Sequence, residues 1–194
     1  TYHLTIYSET SKSLFVSAAF GLFMLPFFLF SPLAGQLADR FDKTKIIRFV
    51  KLAEILIVGL SAYGFIHQNP YFLLAALFCM GTHSAFFGPA KYSLLPAILS
   101  PETLLKGNGY IEAGTFLAIM GGTLAGALMI HWDVSLTVLS SQLFIVALFG
   151  LLMSWYLPPA SPRAPHLKIR LSWSGEIKHL YRFTRKEARI FKAI

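Results

Sequence analysis

The sequence predicts an all-α integral membrane protein with about five transmembrane helices. Three observations carry that prediction. The 194 residues are 55% hydrophobic and only 13% charged, whereas soluble domains run about 45–50% apolar and about 25% charged. The mean hydropathy is +0.60, an excess of apolar surface that lipid contact can absorb and a water-soluble core of this size cannot. Five apolar runs reach the length of about 20 residues that a spanning helix needs, and the cations gather in the connectors between them.

Residues 1–12 are polar and read as an extracytoplasmic loop following a first helix that the chain does not contain. The first span, about Leu14 to Leu37, is rich in Phe and carries Pro26 and Pro32. A charged connector, Gly35 to Lys43, follows. It belongs at a membrane surface, because each ion would cost about 3 kcal/mol or more in the bilayer centre. The second span is Ile46 to Ile66. The third is Tyr71 to about Leu99 and includes Gly88, Pro89 and Pro96. The fourth is Gly109 to Ile130, and the fifth is Leu136 to Leu157, stopped by Pro158 and Pro159. The bundle is therefore expected over residues 13–157.

Residues 158–166 are rich in proline and read as irregular. From Trp173, apolar residues Ile177, Leu180, Tyr181, Ala188 and Phe191 recur at helical spacing among Lys178, Arg182, Arg185, Lys186 and Arg189. Residues 158–194 are thus expected as a cytoplasmic loop with a basic amphipathic helix. Such a helix lies on anionic lipid or links two halves of a larger protein, and the two roles are compatible.

Charge placement sets the orientation. Segments 38–51, 99–108 and 158–192 hold 15 of the 17 Lys and Arg residues, and connectors 67–70 and 131–135 hold none. Lys and Arg accumulate on the cytoplasmic side, so the Asp39 connector is expected there. The net charge of +8 is then a topology signal, and no nucleic-acid partner is expected. The single cysteine, Cys79, lies in an apolar run, so neither an internal disulfide nor a thiol metal site is expected. There is no H-x4-D pair, no G-x4-G-K-S/T phosphate loop and no H-E-x-x-H. No catalytic role, metal or cofactor is expected from the residues.

Several residues can carry function. Gly35 would let a helix end approach a neighbour closely. Asp39 is an acceptor that nearby Arg or Lys could hold, with Arg40 and Lys43 beside it. Pro89, with Gly88, is expected to kink the third span by removing a ladder bond. Lys91 lies toward the cytoplasmic end of that span, and Glu112 lies at a similar depth in the next, so the two are expected to pair. Glu54 is a third charge within the membrane. Intramembrane ions default to function, although a pair that only neutralises itself and holds helices together is an equal reading. Arg48 and Lys51 are close enough to the surface to snorkel. Gly114, Ala118, Gly122 and Gly126 form a small-residue ladder, with a shorter one at Gly81, Ala85 and Gly88, and such ladders permit close helix packing. His83 is expected to hydrogen-bond between helices.

The connector GQLADRFDK resembles the signature loop between the second and third helices of major facilitator transporters. With KIIRFVKLAEI, FFGPAKYSLLP and SPETLLKGNGYIEAGTF, the chain resembles the bacterial lysophospholipid transporters of that superfamily across roughly residues 13–157. The closest likeness is to the transporter portion of fusions with a phospholipid acyltransferase and an acyl-carrier-protein synthetase. The resemblance implies a multi-pass carrier of the bacterial inner membrane that flips lysophosphatidylethanolamine-like lipids inward, without ATP, for reacylation by a fused or associated acyltransferase. It implies twelve helices in two halves, of which this chain supplies helices two to six of the N-terminal half, partnered by membrane lipids and by the second half. It also implies that Asp39 and Arg40 gate, within a motif that includes Gly35 and Lys43. A departure stands at Asp42, where the family usually has Gly. Three other readings compete: a carrier of a drug-like or sugar solute, the membrane portion of an acyltransferase, and an assembly subunit. Most helix faces are too apolar for a sugar path, which favours a lipid-like cargo.

Overall fold

The computed structural model describes residues 9–169. They form five helices: α1 Glu9–Arg40, α2 Lys43–Ile66, α3 Pro70–Ile98, α4 Pro101–His131 and α5 Leu136–Ser154. All five are long and apolar enough to cross a membrane, as the sequence predicts. The amphipathic helix expected from Trp173 onward lies outside the described residues.

Local chemistry explains most of the boundaries, and several differ from hydropathy. α1 begins at Glu9, so residues 9–12 are its first turn and not loop. It also continues to Arg40, with the Phe41 amide donating to the Leu37 carbonyl at 2.9 Å. The connector expected over Gly35–Lys43 is therefore only Phe41 and Asp42. Asp42 starts α2 as its N-cap, accepting from the amides of Thr44 and Lys45, which satisfies two of the donors that a helix start leaves orphaned. Asn69 caps α3 in the same way by accepting from Tyr71, with Pro70 in the first turn. α4 starts at Pro101, eight residues before the apolar run. Proline's fixed φ suits a first helical position, and Glu102 sits in the first turn, where the helix dipole favours an acid. Hydropathy marks contact with lipid, and this helix extends beyond it. α5 stops at Ser154, and Ser154 to Leu157 close in a turn ahead of Pro158.

α3 passes Gly88, Pro89 and Pro96 without a break. Pro89 removes one donor from the ladder within this continuous helix. α3 is also the central element: α1 and α2 each pack along it, α5 packs on α2, α4 meets α3 only lightly, and α1 hardly touches α2.

Many of the buried positions are small. Ala34, Ala38, Ala76, Ala85, Ala90 and Ala147 are buried, while Phe20, Phe28, Phe49, Leu56 and Phe149 are exposed. Association in lipid relies on close backbone contact, because lipid tails are as apolar as leucine. Gly81 marks the tightest point. A Cβ there would lie 2.2 Å from the Phe23 carbonyl oxygen of α1.

After α5 the chain folds back. Ala160 is buried in a cluster with Ile47, Ala90 and Leu94, and the Ala164 amide donates to the Asp39 carbonyl at 2.9 Å. Residues 158–169 form a strap beneath the turn between α1 and α2.

Candidate functional site

The basic end of the bundle holds the signature residues, and its contacts are chiefly with the strap. Lys43 is only 3% exposed, and its Nζ donates to the Ser161 carbonyl at 2.9 Å. The Thr44 hydroxyl, also buried, donates to the Pro158 carbonyl. Asp42 Oδ1 accepts from the Ala160 amide at 3.4 Å besides capping α2. Lys43 is therefore an anchor for the strap. Asp39 contributes its carbonyl, and its carboxylate has no ion pair with Arg40 or Lys43 among the described residues. Arg40 lies over the Phe41 ring, 5.4 Å from its centroid. The charge cluster expected around Asp39 is not assembled in this arrangement. Gly35 has open space where a side chain would go, so no neighbour approaches it closely among the described residues.

Arg48 and Lys51, expected to snorkel, each meet a partner within the bundle. Arg48 donates to three carbonyls at the end of α5: Ser154 at 3.2 Å through Nε, and Trp155 at 3.1 Å and Leu157 at 3.2 Å through Nη2. Those carbonyls are orphaned acceptors at the negative end of a helix dipole, and a planar guanidinium satisfies several together. The charge that hydropathy assigns to the membrane surface is thus the C-terminal cap of another helix.

Lys51, Glu54 and His83 join α2 to α3. Lys51 Nζ is 2.7 Å from Glu54 Oε2, and both side chains are largely buried. His83 Nε2 is 3.4 Å from the same oxygen, without the alignment of a hydrogen bond. Lys51 also lies over the Phe87 ring, 5.0 Å from its centroid. Pairing at this depth limits the cost of an isolated charge in lipid. Glu54 is therefore part of a helix-to-helix contact, with His83 of α3 brought against it across the interface.

The expected pair of Lys91 and Glu112 is replaced by two neighbouring contacts across α3 and α4. Lys91 Nζ reaches the Thr115 hydroxyl at 3.3 Å and stands over the Tyr92 ring, 4.6 Å from its centroid. Glu112 instead accepts from the Tyr92 hydroxyl. Tyr92 takes the carboxylate while Lys91 reaches Thr115 beside it, which leaves Lys91 without an ion pair among the described residues. Sequence depth alone placed Lys91 and Glu112 at one level, and it had no means of weighing Tyr92 as the competing donor.

The two small-residue ladders behave differently. Gly81 and Ala85 are buried, and Gly81 is pressed against α1. Gly114, Gly122 and Gly126 have nothing within 4 Å of a would-be Cβ, Ala118 is exposed, and α4 has no buried residue. The longer ladder is open within the described residues. Gly88 is open as well.

Comparison with known proteins bears on this arrangement. The Major Facilitator Superfamily profile matches residues 2–191. Among curated relatives, the lysophospholipid transporter LplT of Photorhabdus laumondii is 30% identical over 118 residues, covering 61% of this chain and 28% of that protein. LplT of Serratia proteamaculans is 32% identical over 144 residues, covering 72% and 34%. LplT of Citrobacter koseri is 33% identical over 113 residues, covering 58% and 27%. The matched part is thus about a third or less of the length of these relatives.

Proposed function

Because this chain belongs to the major facilitator superfamily, whose members are transporters and not enzymes, we propose that it is the N-terminal part of a carrier that flips lysophospholipid across the bacterial inner membrane. In this reading α1 to α5 are helices two to six of a twelve-helix carrier. The end bearing Arg40, Lys43 and Lys45 faces the cytoplasm, and an acyltransferase, fused or associated, reacylates the delivered lipid. The named relatives support the cargo.

One observation carries the reading: Lys91 is a cation within an apolar span, without an ion pair among the described residues. A lysolipid brings an anionic phosphate and a single acyl chain. The ammonium of Lys91 acts on that phosphate as a point charge, with the Thr115 hydroxyl as a second polar contact. Glu112, held by Tyr92, is kept from neutralising it. The open ladder on α4 offers the second half a surface for close backbone approach, and the Asp39 turn supplies the gate.

The test is lysophosphatidylethanolamine uptake by spheroplasts expressing the full-length carrier. Lys91→Ala should abolish uptake at normal expression. Lys91→Arg should retain part of it, since charge persists while shape changes. Unchanged uptake by Lys91→Ala would remove Lys91 from the path.

A further inference from the structure

A groove opens between α1 and α2, floored by α3. α1 and α2 each pack along α3 and scarcely meet, which leaves the gap. Its volume is about 960 Å³, near the top of the ~300–1,000 Å³ typical of small-molecule sites. The walls are apolar: Leu37 from α1, Phe49, Val50 and Leu56 from α2, and Phe86 from α3. Along α2 the lining runs from Lys45 to Ile57, about 18 Å at 1.5 Å per residue. One leaflet of a bilayer has about 15 Å of hydrocarbon, half of the ~30 Å core. The groove therefore spans the hydrocarbon of a single leaflet, starting at the basic end of the bundle.

The rim carries Arg40 and Lys45, and neither has a carboxylate partner among the described residues. The acid on the rim is Asp42, whose Oδ1 is already occupied by the amides of Thr44, Lys45 and Ala160. Pro162 of the strap closes the rim on one side. Deep in the groove the wall reaches His83, whose side chain is 8% exposed and whose ring nitrogens make no hydrogen bond. The site is thus cationic at the surface and greasy for one leaflet's depth below it.

We infer that this groove holds a resident anionic phospholipid, its phosphate against Arg40 and Lys45 and an acyl chain along α2 between Phe49 and Ile57. Charge complementarity selects the headgroup, since two unpaired cations face a position where anionic lipid headgroups reside. Length selects the chain. The inference does not depend on what the carrier moves, because its test reads bound lipid and not transport.

The intact carrier is reconstituted in nanodiscs of phosphatidylethanolamine with phosphatidylglycerol, and retained lipid is counted by native mass spectrometry. Wild type should retain phosphatidylglycerol in preference to phosphatidylethanolamine. Arg40→Gln and Lys45→Gln should each weaken that retention about fivefold. Ala53→Trp fills the groove and keeps both cations, and it should lose the same lipid. Lys168→Gln, an exposed cation outside the groove, should change nothing. Retention that survives both rim substitutions, or falls equally with Lys168→Gln, would overturn the site. The rim variants decide the matter even where the tryptophan variant fails to fold.

Discussion

Replacing Gly81 with alanine tests the closest contact in the bundle. The added Cβ would stand 2.2 Å from the Phe23 carbonyl oxygen, and 3.1 Å from its carbonyl carbon and from Pro26 Cγ. Favourable carbon contacts lie near ~3.5 Å, so α1 must retreat by about 1 Å. Phe23 O belongs to helix backbone and cannot rotate away as a side chain would. Overpacking of this kind costs about 1–3 kcal/mol. Alanine returns about 0.5–1 kcal/mol relative to glycine within a helix, which leaves a net loss of up to about 2.5 kcal/mol, about 1 kcal/mol at mid-range. Gly88→Ala is the matched control: it lies in the same helix with nothing within 4 Å of its Cβ position, so only the propensity gain applies. Thermal midpoints of the intact carrier, followed by size-exclusion chromatography in one detergent, should rank Gly88→Ala at or above wild type and Gly81→Ala several degrees below. Equal midpoints for the two variants would refute the close approach of α1 and α3.

Two further outcomes concern the basic end. Arg48→Met keeps the apolar stem but strips three carbonyls of their donor, at a cost of about 1–3 kcal/mol; hydrogen exchange should rise in the last turn of α5, and unchanged exchange there would dismiss the cap. Thr44→Val and Lys43→Met remove the side chains that hold Pro158 and Ser161, so exchange over residues 158–168 should quicken, whereas Asp39→Asn should leave it alone because Asp39 uses its carbonyl; equal effects from all three would contradict this division.

The helices were visible in the chain because lipid imposes a length and a composition that runs such as Leu136–Leu157 cannot disguise. Their ends were less visible. Capping by Asp42 and the proline start of α4 depend on backbone donors, to which a hydropathy window is blind. Charge placement did not reveal the partners of Arg48 and Lys51: sequence gives depth, but not which neighbouring carbonyls or carboxylates lie across the gap. The same blindness produced the Lys91–Glu112 pairing, since depth alone does not show that the Tyr92 hydroxyl reaches Glu112. The ladder on α4 was legible as a pattern, yet its partner is not among residues 9–169. The strap escaped notice because a proline-rich stretch carries no periodicity, and its contacts join positions more than 100 residues apart.

The strap also decides where tension enters the bundle. The polypeptide leaves the described fold beside the junction of two helices, having doubled back from Ser154 to run past Asp39. Tilting α1 against α2 would therefore take up or pay out slack in whatever chain follows, with no lever arm between the pivot and the tether.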